Sequence, residues 1–186
     1  MQNNPDSIIK FWFEEITPKK QFKKDKDFDE KVKSRFGELL EKTKARELDS
    51  WKQSAESTLA LIILLDQFSR NIYRDGKKSF EGDKLALKIA KEGIEKGFDK
   101  QIDSKRRAFF YMPFMHSENI EDQKKAIELF EELSKEHEGA KNNVKYANMH
   151  KDIIEKFNRF PHRNKILGRN STKEEIDFLK NPKSSF

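Results

Sequence analysis

The sequence predicts an all-α protein, with seven to eight helices arranged as consecutive antiparallel hairpins. Apolar residues recur at spacings of three and four through most of its 186 residues, the pattern of helix faces turned towards a core. No run of alternating β-branched residues appears, and a half-buried strand needs one. Glycine and proline break the periodic stretches at short intervals, which leaves only short turns between neighbouring helices. No signature at the ~34-residue period of tetratricopeptide arrays appears.

Asn4-Pro5 opens a first helix, a capping residue followed by proline in the first turn. Ile8, Ile9, Phe11, Trp12 and Ile16 form its apolar face, and Thr17-Pro18 ends it. A second helix runs from about Asp27 to Ala45, with Phe28, Val32, Phe36, Leu39 and Leu40 on one side. The stretch from Ser54 to Ser69 is apolar nearly all round and belongs at the centre of the bundle. A fourth helix, about Ser79 to Lys96, follows Gly76 and ends at Gly97. A fifth, aromatic-rich element from Ser104 to Met112 is kinked or ended by Pro113. Two long amphipathic helices follow, about Ile120 to Glu138 and Ala140 to Phe157, with Gly139 between them. A polar, basic segment from Asn158 to Asn170 leads to a short last helix, for which Thr172 and Glu175 form a capping box and which Asn181-Pro182 closes. No internal boundary stands out, so residues 1–186 read as one helical domain.

The chain carries 39 Lys+Arg against 33 Asp+Glu, a net charge of +6, and no cysteine. The lack of cysteine excludes a disulfide scaffold and a thiolate zinc site. No apolar run approaches the ~20 residues of a membrane span, and no secretory signal is visible. A cytoplasmic protein without membrane contact is expected. Lysines alternate with Glu and Asp, as on solvated helix faces, and no nucleic-acid motif is present, so no nucleic-acid partner is expected. The arginines are fewer and sit beside Asn, His or Gln. Their planar forks suit two-pronged grips on carboxylate or phosphate.

Polar groups stand out from the core-and-surface pattern in a few segments. Asp66 ends the apolar run with Arg70 one turn on, and Gln67 and Asn71 form a parallel pair. A carboxylate that deep needs a partner, and Arg70 is the natural one. His116 and Glu118 follow the Pro113 kink and suit acid–base work. His150 shares a face with Val144, Ala147, Ile154 and Phe157 and points inward. The densest segment holds Arg159, His162, Arg163, Asn164 and Arg169, an anion-binding composition of guanidinium forks, amide donors and a switchable imidazole.

The phrases FWF, LALIILLDQFSRNIYR, FFYMPFMHSE with DQ after it, and HKDIIEKFNRFPHRNKILGRNSTKEEIDFL resemble family 924 of the domains of unknown function, from about Ile8 to Leu179. That resemblance implies an all-helical, tetratricopeptide-like fold in a mostly bacterial family without an established activity. Against the family pattern, Asn158 replaces an expected Gly and Ser69 an expected Pro.

The first functional reading makes these residues one pocket. Asp66, Gln67, Arg70, Asn71, His150, Arg159, Arg163, Asn164 and Arg169 would bind an anionic small molecule or peptide carboxylate there. A catalytic form uses His116, Glu118 and His162 as acid–base groups without a cofactor, and a metal form uses His116, Glu118 and His150. The second reading makes the chain a protein-interaction scaffold whose polar motifs are internal braces. Oligomeric state is not legible in the sequence.

Overall fold

The computed structural model describes residues 4–182 and 184, which contain helices and turns and no strand. α1 (Pro5–Lys10) runs on as a wide π-helical turn, Phe11–Glu15. Asn4 caps it by accepting the Ser7 N–H. The short α2 (Pro18–Gln21) precedes α3 (Lys26–Lys44), which Asp25 caps. α4 (Ala55–Ile62) continues as a second π-helical turn, Ile63–Phe68, and then as α5 (Ser69–Ile72). After a 3₁₀ turn at Lys77–Phe80 come α6 (Asp83–Glu95), α7 (Ser104–Met115), α8 (Ile120–Glu136) and α9 (Ala140–Phe157). A 3₁₀ turn at Pro161–Arg163, α10 (Asn164–Leu167) and α11 (Lys173–Phe178) complete the chain, and Thr172 and Glu175 form the expected capping box.

The Ala55–Phe68 stretch is the hub. Every residue from Thr58 to Phe68 is buried, as all-round apolarity requires. It packs on α1, α3, α6 and α7. Trp12 and Phe36 each meet Phe68 there, with ring centroids 5.3 and 4.9 Å from it, and each such side chain contributes ~1.5–3 kcal/mol by burial. From α6 to α9 each helix packs on the next. A smaller cluster of Ile153, Ile154 and Phe160 lies beneath the C-terminal segment.

Some local expectations change. Pro113 does not end α7, which continues to Met115. Residues Phe109–Met115 are all buried, and that packing outweighs the one backbone bond proline removes. Asn158, at the end of α9, has φ 54°, the left-handed conformation that favours glycine and, next to it, asparagine. That explains why a Gly fits the family pattern at this point. Ser69 binds the Leu65 carbonyl at 2.6 Å and the Ser79 carbonyl at 3.0 Å through its hydroxyl, tying α5 to the Lys77–Phe80 turn. Among the described residues no helix is long and apolar enough to cross a membrane.

A candidate ligand cleft built on a buried Asp–His pair

The site begins in the π-helical turn. One extra residue per turn rotates Asp66 and Gln67 off the α4 stripe, and such turns concentrate at functional positions. Asp66 is 1% exposed. Its Oδ1 lies 2.7 Å from His116 Nδ1, and its Oδ2 accepts the Gln67 amide. Burial disfavours the charged carboxylate, but its interactions with His116 and Arg70 and the hydrogen bonds from His116 and Gln67 outweigh it, so Asp66 is held well below the usual carboxylate range. Gln67 also reaches the Met112 sulfur.

Arg70 lies one turn beyond Asp66, as the spacing predicts, yet its fork goes elsewhere. It donates to both carboxylate oxygens of Asp83, at 3.0 and 3.2 Å, and keeps Asp66 Oδ1 at 3.4 Å. Asp83 reaches it because Gly82 packs against the π turn: a Cβ on Gly82 would stand 2.6 Å from the Leu65 carbonyl oxygen. Arg163 completes the group from the C-terminal segment. Its guanidinium lies between the rings of Phe80 and Phe160, 4.7 and 4.5 Å from their centroids. It donates to Asp83 at 3.3 Å and to the His116 carbonyl at 3.1 Å. Burial pushes its pKa down to about 10, against the pull of Asp83, and it stays cationic at neutral pH.

The remaining candidates divide. Glu118 receives both arms of Arg169, at 2.6 and 2.9 Å, and the Phe160 N–H at 2.8 Å. Burial opposes its charge, but Arg169 and that N–H prevail and keep it ionised. With both oxygens engaged, Glu118 has little capacity left as an acid–base group. His150 binds the Tyr146 carbonyl and sits 6.2 Å from the His116 ring; burial first, then the neighbouring His116, drives its pKa down to about 3. His162 packs on Phe160, and burial with the adjacent Arg163 lowers it to about 4. Both imidazoles are therefore neutral at physiological pH. Asn164 is wholly buried and braces Arg169 and Ser171. Arg159 is occupied by Glu175, at 2.6 and 2.8 Å. Asn71 joins a separate cluster, binding Asp29 beside Arg74. Thus Asp66, Gln67, Arg70, His116, Glu118, Arg163 and Arg169 share one connected network, with His150 and His162 against it. Arg159 joins it at one remove, through Glu175 and Asn164 to Arg169, and Asn71 does not join it. Among the described residues no three of His, Asp and Glu come together as a metal-holding group.

A cleft of about 570 Å³ opens over this network, within the ~300–1,000 Å³ of small-molecule sites. His116, Asp83, Glu118 and Arg163 line it together with Lys77 and Lys84. Asp83 carries no signal at the level of sequence: it is an acid in the first turn of a helix, where the dipole explains it. Lys77 and Lys84 look like any other lysine of the coat.

Fold and site together define an all-helical protein whose C-terminal segment is ion-paired beside a cleft lined by a histidine that a buried aspartate holds. The chain belongs to the bacterial family of unknown function DUF924, whose model matches residues 8–183. It is similar to a solved structure of a protein of unknown function from Agrobacterium tumefaciens, at 40% identity over 95% of this chain and 96% of that one, with a TM-score of 0.88. No curated protein matches it.

Proposed function

We propose that the cleft binds a small organic anion. The observation that carries this is a charge imbalance at its mouth. Each carboxylate lining the cleft is already matched: Asp83 by Arg70 and Arg163, Glu118 by Arg169, and Glu81 by Lys44 at 3.0 Å. Lys77 and Lys84 line the same cleft, are exposed, and have no carboxylate partner among the described residues. Phe80, Leu87, Pro113 and Leu167 give an apolar wall for the body of such a ligand. On this reading the arginines set the shape of the site and the lysines attract the ligand.

Calorimetric titration with inorganic phosphate and with citrate, against a neutral sugar, tests the proposal. Saturable binding of an anion is expected, weakened about tenfold, or ~1.4 kcal/mol, in the Lys77→Ala/Lys84→Ala double variant. Anions that bind no better than the sugar, or a double variant that binds as the parent does, would refute it. The scaffold reading also draws on a specific observation. The arginine forks join segments far apart in the chain, Arg163 to Asp83 and Arg169 to Glu118, as internal braces do.

A further inference from the structure

We infer that His116 is the general base of this cleft: with Nδ1–H given to Asp66, its Nε2 takes a proton from a water molecule that attacks an ester of the bound anion. The inference rests on the anion-binding reading and adds a reaction to it.

The geometry is that of an oriented imidazole. His116 is 15% exposed at its side chain and lines the cleft, while Nδ1 is fixed 2.7 Å from a carboxylate that is itself 1% exposed. An ionised carboxylate accepts and cannot donate, so the ring proton is kept on Nδ1 and the lone pair on Nε2. Nε2 has no hydrogen-bond partner among the described residues. Asp66 is a positioning residue here. Gln67 and Arg70 hold it in turn, and Arg163 pins the His116 backbone carbonyl. A histidine needed only as a brace does not require a partner fixed from so many sides, nor a free nitrogen beside a cavity.

Chemistry at the cleft wall selects water as the nucleophile. The chain has no cysteine, and the one hydroxyl lining the cleft among the described residues, Ser117, gives its proton to Asp122 at 2.7 Å. Nε2 removes a proton from water as the water oxygen bonds to the acyl carbon. When the ester C–O bond breaks, the imidazolium returns that proton to the leaving oxygen. Asp66 stabilises the imidazolium between the two steps. Nothing is oxidised or reduced.

The probe is 4-acetoxy-3-nitrobenzoate, an activated ester that carries a carboxylate, with ¹⁵N NMR of the histidine rings as a second readout. Turnover is expected from the wild-type protein, with kcat lowered by roughly 100-fold or more in His116→Gln and Asp66→Asn and little change in KM. At high pH the His116 ring of the wild type should show the Nδ1–H tautomer, reverting to Nε2–H in Asp66→Asn. No turnover above the His116→Gln background, or an Nε2–H tautomer in the wild type, overturns the inference, and the wild-type measurements suffice if Asp66→Asn fails to fold. The anion reading fails separately: in the Lys77→Ala/Lys84→Ala variant KM would then be unchanged.

Discussion

Replacing Arg163 by alanine distinguishes a brace from a ligand-binding residue. Arg163 is 7% exposed, lies between Phe80 and Phe160, and ties Asp83 and the His116 carbonyl to the C-terminal segment. A charged hydrogen bond to the His116 carbonyl is worth ~1.5–3 kcal/mol. The two ring faces add ~0.5–1 kcal/mol each. Against these stands the cost of burying the guanidinium, visible in its lowered pKa. Asp83 keeps Arg70 in the variant, so no carboxylate is left bare. The net loss is about 3 kcal/mol, within the range for breaking a buried network. For a chain of this size that lowers Tm by ~6–12 °C. Arg163→Met, which keeps the stem between the rings, should lose about half as much. Differential scanning calorimetry of both variants gives the answer. A Tm within ~2 °C of wild type for Arg163→Ala would show that Arg163 braces nothing.

Other consequences concern pH and backbone. His150 and His162 are held neutral, at about 3 and about 4, while an unfolded histidine takes its proton near ~6.5. The unfolded state therefore binds more protons below that pH, and stability should fall on acidification from ~6.5, by up to ~1.4 kcal/mol per pH unit for each histidine. Glu175, lowered to about 2 chiefly by Arg159, adds a loss below ~4.5. Chemical denaturation from pH 7.5 to 5 should show this slope and its flattening in His150→Gln; a flat wild-type curve would contradict it. Asn158→Val should cost ~1–2 kcal/mol at its left-handed position, whereas Asn158→Gly should be neutral or stabilising. Gly82→Ala, forced against the Leu65 carbonyl, should cost about 2 kcal/mol by thermal melting.

Much of the fold is legible because helix periodicity, caps and breakers are local signals. The Asn4, Thr172 and Gly97 signals all lie where the chain turns or starts a helix. Pro113 does not end its helix because its penalty is small beside the burial of every side chain from Phe109 to Met115. Asp66 declares itself by ending an apolar run, since a charge at that depth must be compensated. Its main partner is less legible. The i,i+4 spacing does bring Arg70 to 3.4 Å from Asp66, but the closer partner is His116, 50 residues away, which no local spacing marks. Asp83 and the two cleft lysines carry no local mark, because their significance arises only where α6 and the C-terminal segment meet.

Ion pairs, rather than apolar contacts, fix the C-terminal segment for a physical reason. Buried pairs seldom stabilise more than apolar residues of the same shape, and their best-supported role is to specify one arrangement. The segment after α9 has little apolar surface to fix its course: Phe160 is wholly buried, while Leu167 and Phe178 are only half-buried. Apolar contact alone would let such a segment slide. Arg159 to Glu175, Arg163 to Asp83 and Arg169 to Glu118 each impose one register with two-pronged or stacked geometry. The cleft depends on that register, because Arg163 and Leu167 form its C-terminal wall. The positive charge of the chain therefore plays two roles here. Arginine places the wall, and in the proposed anion-binding role the lysines at the mouth receive the ligand.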